Sequence, residues 1–327
     1  GTEHEPVNPK GLIWDAIKEA AKLIVASFDK TFLNDFADEF DSYWSKTERG
    51  KNIVSLLTPG GPSRRVSQWR SAGDYYLADD DTALEGWLRN RFPKNKRDYN
   101  LTTATHIVLN RPILPSEYPE SGAAILHFLQ DLAPESIKLL EDAAETADNK
   151  FTVSFEGRTE NGPVFFAVEV VPPIKQGMKA GRRPDMVQKG FRPGKVPTHI
   201  RMQRLFGGNK VERHETRRAD PSWIHGRDTH AVAPLFDKRV LMVGAGSLGS
   251  EVALLLAKTG VGSITLVDPE VLDYPNVGRH VLGVTEVQTY KVKGLAKKLA
   301  SNFPHMRTIK YFPEDWQSLY SRCPEVF

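Results

Sequence analysis

Apolar side chains recur through residues 11–28 at Ile13, Ile17, Ala20, Ile24 and Phe28, which places them on one face of a helix. Pro9 just ahead suits a helix start. A second helical pattern carries Leu33, Phe36, Phe40 and Trp44 on one face, with Asp35, Asp38, Glu39 and Asp41 mostly elsewhere. Two packed amphipathic helices are expected. Residues 53–57, 64–70 and 75–79 then read as short strands, split by Pro59-Gly60-Gly61-Pro62 and by Gly73-Asp74. A helix follows over 81–92, with Asp81 placed to cap it and Leu84, Trp87 and Leu88 inward. Residues 103–109 read as a strand, and 119–132 and 134–147 as helices. Residues 151–155 and 164–171 read as a hairpin joined by the turn-rich stretch 156–163. This middle region is expected to be an α+β module. It shows no nucleophile–base pair, metal cluster or phosphate loop, so scaffolding or recognition is its expected role.

The pattern changes near the C-terminus. An apolar run over 240–243 leads into Gly244-Ala245-Gly246-Ser247-Leu248-Gly249. A helix-forming segment comes next, then a second apolar run over 263–267 that ends on Asp268. The reading is strand, glycine turn, helix, strand.

Bulk properties narrow the classes. A chain of 327 residues has room for two or three domains. Its 40% hydrophobic and 26% charged content is ordinary for globular protein. The one cysteine, Cys323, excludes an internal disulfide framework and fits a reducing cytosol. Its plain reading is a small apolar residue. No apolar run approaches the roughly 20 residues of a membrane span, and the first residues lack an apolar signal core. A soluble, cytoplasmic protein is expected.

Charge is uneven. Residues 174–218 hold 13 Lys and Arg against 3 acids, a net +10 within a chain of +3. The plain reading is a solvated linker lying on an acidic surface. Phosphate contact or an acidic protein partner are the alternatives. Phe191 and Phe206 are too few for a base-stacking platform. His199, His214, His225 and His230 lack metal-ligand spacing with the cysteine.

The glycine turn carries the strongest chemistry. Gly244 permits the tight turn, Gly246 lets backbone approach a phosphate, and Gly249 lets the helix sit close on the sheet. The helix N-terminus at Ser247 and Leu248 offers free N–H groups and a positive dipole end to an anion. Asp268 sits where an acid can bind ribose hydroxyls. Glycines for packing alone, a nicotinamide-dependent oxidoreductase and an ATP-using adenylation domain are the three readings. Beyond Asp268 come Glu270, Asn276, Arg279 and Lys291. Two cations and a polar donor toward one pocket mouth suit a triphosphate split at its α-phosphorus, whose charge needs neutralising along its length. NAD, with two phosphates, needs fewer.

On these residues, 238–310 resembles the adenylation domain of ubiquitin-activating (E1-like) enzymes of the ThiF and MoeB branch. The matching positions are Gly244 to Gly249, Gly260-Val261-Gly262, Asp268, Glu270, Asn276-x-x-Arg279 and Lys291, with Asn302 and Pro304 echoing the family's Asn-Pro. The resemblance implies a Rossmann-like α/β domain in which the Asp binds ribose and the Asn, Arg and Lys hold phosphates. It implies ATP and Mg²⁺ as cofactors, and attack of a protein's C-terminal carboxylate on the α-phosphate, often followed by thioester transfer to a cysteine. It also implies a homodimer.

Upstream, Asp38-Glu39-Phe40-Asp41-Ser42-Tyr43-Trp44 looks like the tail of an E2-like domain. The run from Arg218 to Arg227 resembles the segment before the E1-like domain in bacterial E2–E1 fusions of CBASS antiphage operons. That resemblance implies a cGAS-like nucleotidyltransferase as the modified protein. The expected order is an E2-like helical tail (1–48), a linker module (49–173), a basic connector (174–230) and the first half of the adenylation domain (231–327). Only 83 residues follow Gly244, so the catalytic Cys and magnesium-binding Asp of the family are expected outside this chain, with no metal ligand inside it. The chain reads as the middle of a longer protein, inactive by itself, with an apolar sheet edge exposed. A partner-binding pseudoenzyme is the alternative from another functional class.

Overall fold

A computed structural model describes residues 9–28, 40–46, 50–92, 99–146, 151–159, 162–171, 189–192, 195–226 and 233–327. Contacts divide the chain into two compact units, Gly1–Gly50 with Ile107–Glu215, and Lys51–His106 with Thr216–Phe327. This grouping differs from four consecutive segments, because strands distant in sequence pair with each other.

In the first unit, strand β6 (Gly162–Val171) lies antiparallel between β5 (Phe151–Thr159) and β7 (Lys210–His214). Alternation sends Phe151, Val153 and Phe155 of β5, with Phe166, Val168 and Val170 of β6, into one core. Helices Gly122–Leu132, Ser136–Thr146 and Thr198–Leu205 supply buried Phe128, Leu129, Leu140, Met202 and Leu205 to it. The short helix Phe40–Ser45 adds Phe40 and Trp44, whose rings centre 5.0 Å from Phe166. The Trp44 indole donates to the His214 carbonyl at 2.9 Å. Leu33 and Phe36, expected on the same helix, lie outside the described residues.

Three expectations need correction here. The helix Pro9–Phe28 forms, yet Ile13, Trp14, Ile17, Ile24 and Val25 are each at least half exposed. Apolar spacing specifies a helix without specifying what covers it. The hairpin is longer than expected, since Glu156 and Gly157 pair with Phe165 and Val164 inside the ladder. Glu156, expected as the first residue of the connecting turn, is 1% exposed. The basic stretch 174–218 is also more regular than expected in its described part. It holds a helix and β7, and it buries Val196, Leu205 and Phe206. Few apolar residues between many cations conceal that pattern.

The second unit contains β1 (Asn52–Ser55), β2 (Arg64–Arg70), β3 (Asp74–Ala78) and β8 (Thr216–Arg218), with the first residues of β4 (Thr102–Leu109). β2 runs antiparallel to β3 and β4, while β1 runs parallel to both β3 and β8. The helix Asp81–Arg91 buries Leu84 and Leu88 beside a ring cluster of Trp69, Tyr76, Trp87 and Phe92. Its cap is Asp80, whose carboxylate accepts from Ala83 N, rather than Asp81. Three consecutive aspartates make that position ambiguous in sequence, and the Asp81 carboxylate instead accepts from Ser67.

The same unit holds a parallel three-stranded sheet in the order β11 (Thr308–Phe312), β10 (Ser263–Val267), β9 (Arg239–Val243). Helices Ser247–Lys258 and Lys291–Asn302 share its core through Ala253, Ala257, Ile264, Leu266, Val292, Leu295 and Leu299. This is the α/β Rossmann-type arrangement expected from the glycine turn. β9 is an edge strand of this sheet, and Val243, Leu248, Val252 and Leu255 are exposed beside it. Cys323 caps the last α-helix, Trp316–Arg322, and is partly exposed. No helix among the described residues is long and apolar enough to cross a membrane.

Candidate nucleotide site

In open α/β sheets, ligands bind outside the carboxyl ends of the strands. Here β9 ends at Val243 and β10 at Val267, in register with each other. Gly244 N donates to the Val267 carbonyl at 2.8 Å, and Gly244 adopts φ +92°. That left-handed backbone favours glycine and reverses the chain from strand toward helix. At Gly249 a Cβ would lie 2.1 Å from the Gly244 carbonyl oxygen, so the helix packs too closely for any side chain. At Gly246 a Cβ would meet nothing within 4 Å, so this glycine leaves open space above the turn.

Gly246 caps the helix Ser247–Lys258, and no side chain hydrogen-bonds to its first turn from that position. Ser247, Leu248 and Gly249 therefore begin a helix whose positive end is open to an anion. Leu248 is 78% exposed, so its contribution to such a site is backbone.

Asp268 is nearly buried and holds two backbone donors. Its Oδ2 accepts from Ala245 N at 2.6 Å and its Oδ1 from Glu270 N at 2.7 Å. The carboxylate thus pins the glycine turn to the segment after β10. Each oxygen retains a second lone pair.

Lys291 begins the helix Lys291–Asn302, and its ammonium, 7% exposed, pairs with the exposed Glu270 carboxylate. Its backbone N also donates to the Glu270 carbonyl at 2.9 Å. The Lys291 hydrogen bond and charge hold the Glu270 carboxyl below the usual range. A buried cation with an exposed partner can exchange that partner for another anion without crossing an apolar barrier.

Asn276 lies in the short helix Tyr274–Val277, and Arg279 directly follows its C-cap, Gly278. Asn276 Oδ1 accepts from Asp273 N at 3.0 Å, so this amide caps its own turn. Arg279 is exposed, and its guanidinium donates to the Pro275 carbonyl at 3.4 Å. Hydrogen bonds therefore link the glycine turn, Asp268, Glu270 and Lys291 directly, with Arg279 at an exposed position nearby in the chain. His280, beside Arg279 and absent from the sequence expectations, is buried and donates to the Ala245 carbonyl. Its only sequence signal is its place directly after the Asn-x-x-Arg motif.

Residues 226–325 match the ThiF family. The chain is similar to the ATP-dependent ubiquitin transferase-like protein Cap2 of Escherichia coli, at 24% identity over 80% of this chain and 46% of that protein. It is also similar to the adenylyltransferase and sulfurtransferase uba4 of Aspergillus fumigatus, at 42% identity over 22% of this chain and 15% of that protein. The chain thus spans less than half the length of these curated relatives. Among solved structures, it is similar to Escherichia coli TcdA, a tRNA N6-threonylcarbamoyladenosine dehydratase, in complex with ATP. That likeness has 24% identity and a TM-score of 0.29 over 33% of this chain and 44% of that one. The resemblance to a bacterial fusion protein with a ThiF-like domain, read from the motifs, agrees with the Cap2 alignment over most of the chain.

Proposed function

We propose that residues 238–310 bind ATP and that the protein adenylates the C-terminal carboxylate of a protein substrate. The observation that carries this reading is the hydrogen-bonded chain from the glycine turn at Ala245 through Asp268 and Glu270 to the buried Lys291. The glycine turn leaves space for phosphate, the first-turn N–H groups face an anion, and Lys291 and Arg279 neutralise charge. Asp268, through the lone pairs its two backbone donors leave, receives ribose hydroxyls. Asn276 turns the chain so that Arg279 is presented. In the reaction, a carboxylate oxygen bonds to the α-phosphorus while the bond to the bridging oxygen breaks and pyrophosphate leaves. The role of Lys291 and Arg279 is to stabilise the negative charge that grows on that leaving group.

The fit to Mg²⁺ is poorer. No group of three or more His, Cys, Asp or Glu among the described residues is placed to hold a metal ion. A Mg²⁺ brought by the nucleotide would keep mostly phosphate and water ligands.

The wider protein is read as an E2–E1 fusion of the CBASS type, working as a homodimer on the tail of a cGAS-like nucleotidyltransferase and passing it on as a thioester. The similarity to Cap2 over 80% of the chain supports this reading, and Phe40 to Ser45 would then belong to the end of the E2-like part. Calorimetric titration of this polypeptide with ATP, AMP and NAD tests the site. Binding of ATP in preference to NAD is expected, and NAD binding alone would overturn the proposal.

A further inference from the structure

The His280 imidazole is 8% exposed and makes two hydrogen bonds of opposite sense. Leu282 N lies 3.1 Å from Nδ1. A backbone N–H only donates, so Nδ1 is the acceptor and the ring proton sits on Nε2. That Nε2 lies 2.6 Å from the Ala245 carbonyl oxygen, to which it donates. On its other side, Ala245 gives its own N–H to Asp268 at 2.6 Å. The one residue between Gly244 and Gly246 is therefore held at both its N–H and its carbonyl.

The backbone N–H groups of Arg279 and His280 both donate to the Asn276 carbonyl, each at 3.0 Å. His280 is thus rigidly part of the turn that presents Arg279, while its ring grips the glycine turn. Val281 N also donates to Ser250 Oγ at 3.5 Å, so the ring supplies the shorter of two hydrogen bonds between these segments.

We infer that His280 is a positioning residue for the nucleotide site: it fixes the orientation of the Ala245–Gly246 peptide, and so of the first-turn N–H groups, relative to Arg279. This inference rests on the ATP reading above. It assigns no contact between His280 and the ligand, because both ring nitrogens are engaged with backbone.

The test compares the full polypeptide with His280→Ala and His280→Gln. A glutamine amide can donate to the Ala245 carbonyl as Nε2 does, whereas alanine cannot. ATP affinity by calorimetry should fall about tenfold in His280→Ala, roughly 1.4 kcal/mol, and stay within about threefold in His280→Gln. Amide exchange at residues 246–249 of the ligand-free protein should quicken in the alanine variant and not in the glutamine variant. Imidazole ¹⁵N spectra should show the Nε2–H tautomer in the unsubstituted protein. Wild-type affinity in His280→Ala with unchanged exchange would overturn the inference, as would an Nδ1–H tautomer. Should His280→Ala fail to fold, the glutamine variant and the tautomer decide the matter. Should the unsubstituted protein bind no ATP, the functional reading fails by itself, and exchange with the tautomer still judges the clamp.

Discussion

The imidazoles of His225 and His305 meet Nε2 to Nε2 at 2.7 Å, a bond that exists only when one ring donates and the other accepts. His225 Nδ1 lies 3.0 Å from the Lys258 carbonyl, which can only accept. His225 therefore carries its proton on Nδ1, and His305 supplies the Nε2–H. A helix C-terminus ordinarily favours a protonated histidine. Burial outweighs that here and lowers both rings, His305 to about 4, where the neighbouring His225 adds to the effect.

The sign of the pH dependence follows. With the folded value below the unfolded value near 6.5, the unfolded chain binds more protons as the solution is acidified. The pair's contribution is complete above about pH 6.5 and is lost as pH falls toward 4. Urea unfolding of the full polypeptide between pH 4 and 7, compared with His305→Phe, should show a difference that shrinks by roughly 2–3 kcal/mol on acidification. A difference independent of pH would contradict the assignment.

The two helix-side glycines should behave in opposite ways. Gly249→Ala places a methyl 2.1 Å from a backbone oxygen, so the protein should lose at least about 2 kcal/mol of stability. Gly246→Ala meets open space and should melt within a few degrees of the parent, yet lose nucleotide affinity, because the methyl fills the room left for phosphate. Thermal denaturation and ATP titration of both variants read the two effects separately.

Lys291 and Glu270 allow a similar separation. Lys291→Met keeps the buried volume and removes the charge, so stability should change by less than about 1.5 kcal/mol. ATP affinity should fall about tenfold or more. Glu270→Ala strands a nearly buried ammonium, and a stability loss of roughly 1 kcal/mol is expected, kept small because water reaches the exposed side of the pair. Chemical denaturation combined with ATP titration checks both.

Much of the C-terminal architecture was legible in the chain. A run of apolar residues, a glycine turn and a helical period are local signals, and β9, β10 and the helix between them fall close to where those signals place them. Of the candidate site, the motif residues Asp268, Glu270 and Lys291, separated in sequence, are joined by hydrogen bonds. What escaped was non-local. Nothing in residues 52–55 announces that β1 pairs with β8. The apolar face of Pro9–Phe28 gave no sign of remaining exposed, because amphipathic spacing is the same whether or not a partner arrives. His280 looked like one histidine among nine, since its importance lies in which carbonyl it reaches across 35 positions of chain.

The parallel pairing of β1 with β8 also sets an order of assembly. Ile53 to Ser55 align with Thr216 to Arg218, and the 109 residues from Ile107 to Glu215 belong to the other unit. A chain emerging at about 5–20 residues per second leaves one edge of β1 unpaired for roughly 8–32 s, the time to make the residues between Ser55 and Thr216. In that interval the interposed unit can fold on its own contacts, while the earlier-made half of its neighbour waits. Until β8 emerges, the open edge of β1 is a surface on which a nascent-chain chaperone would find unpaired backbone groups.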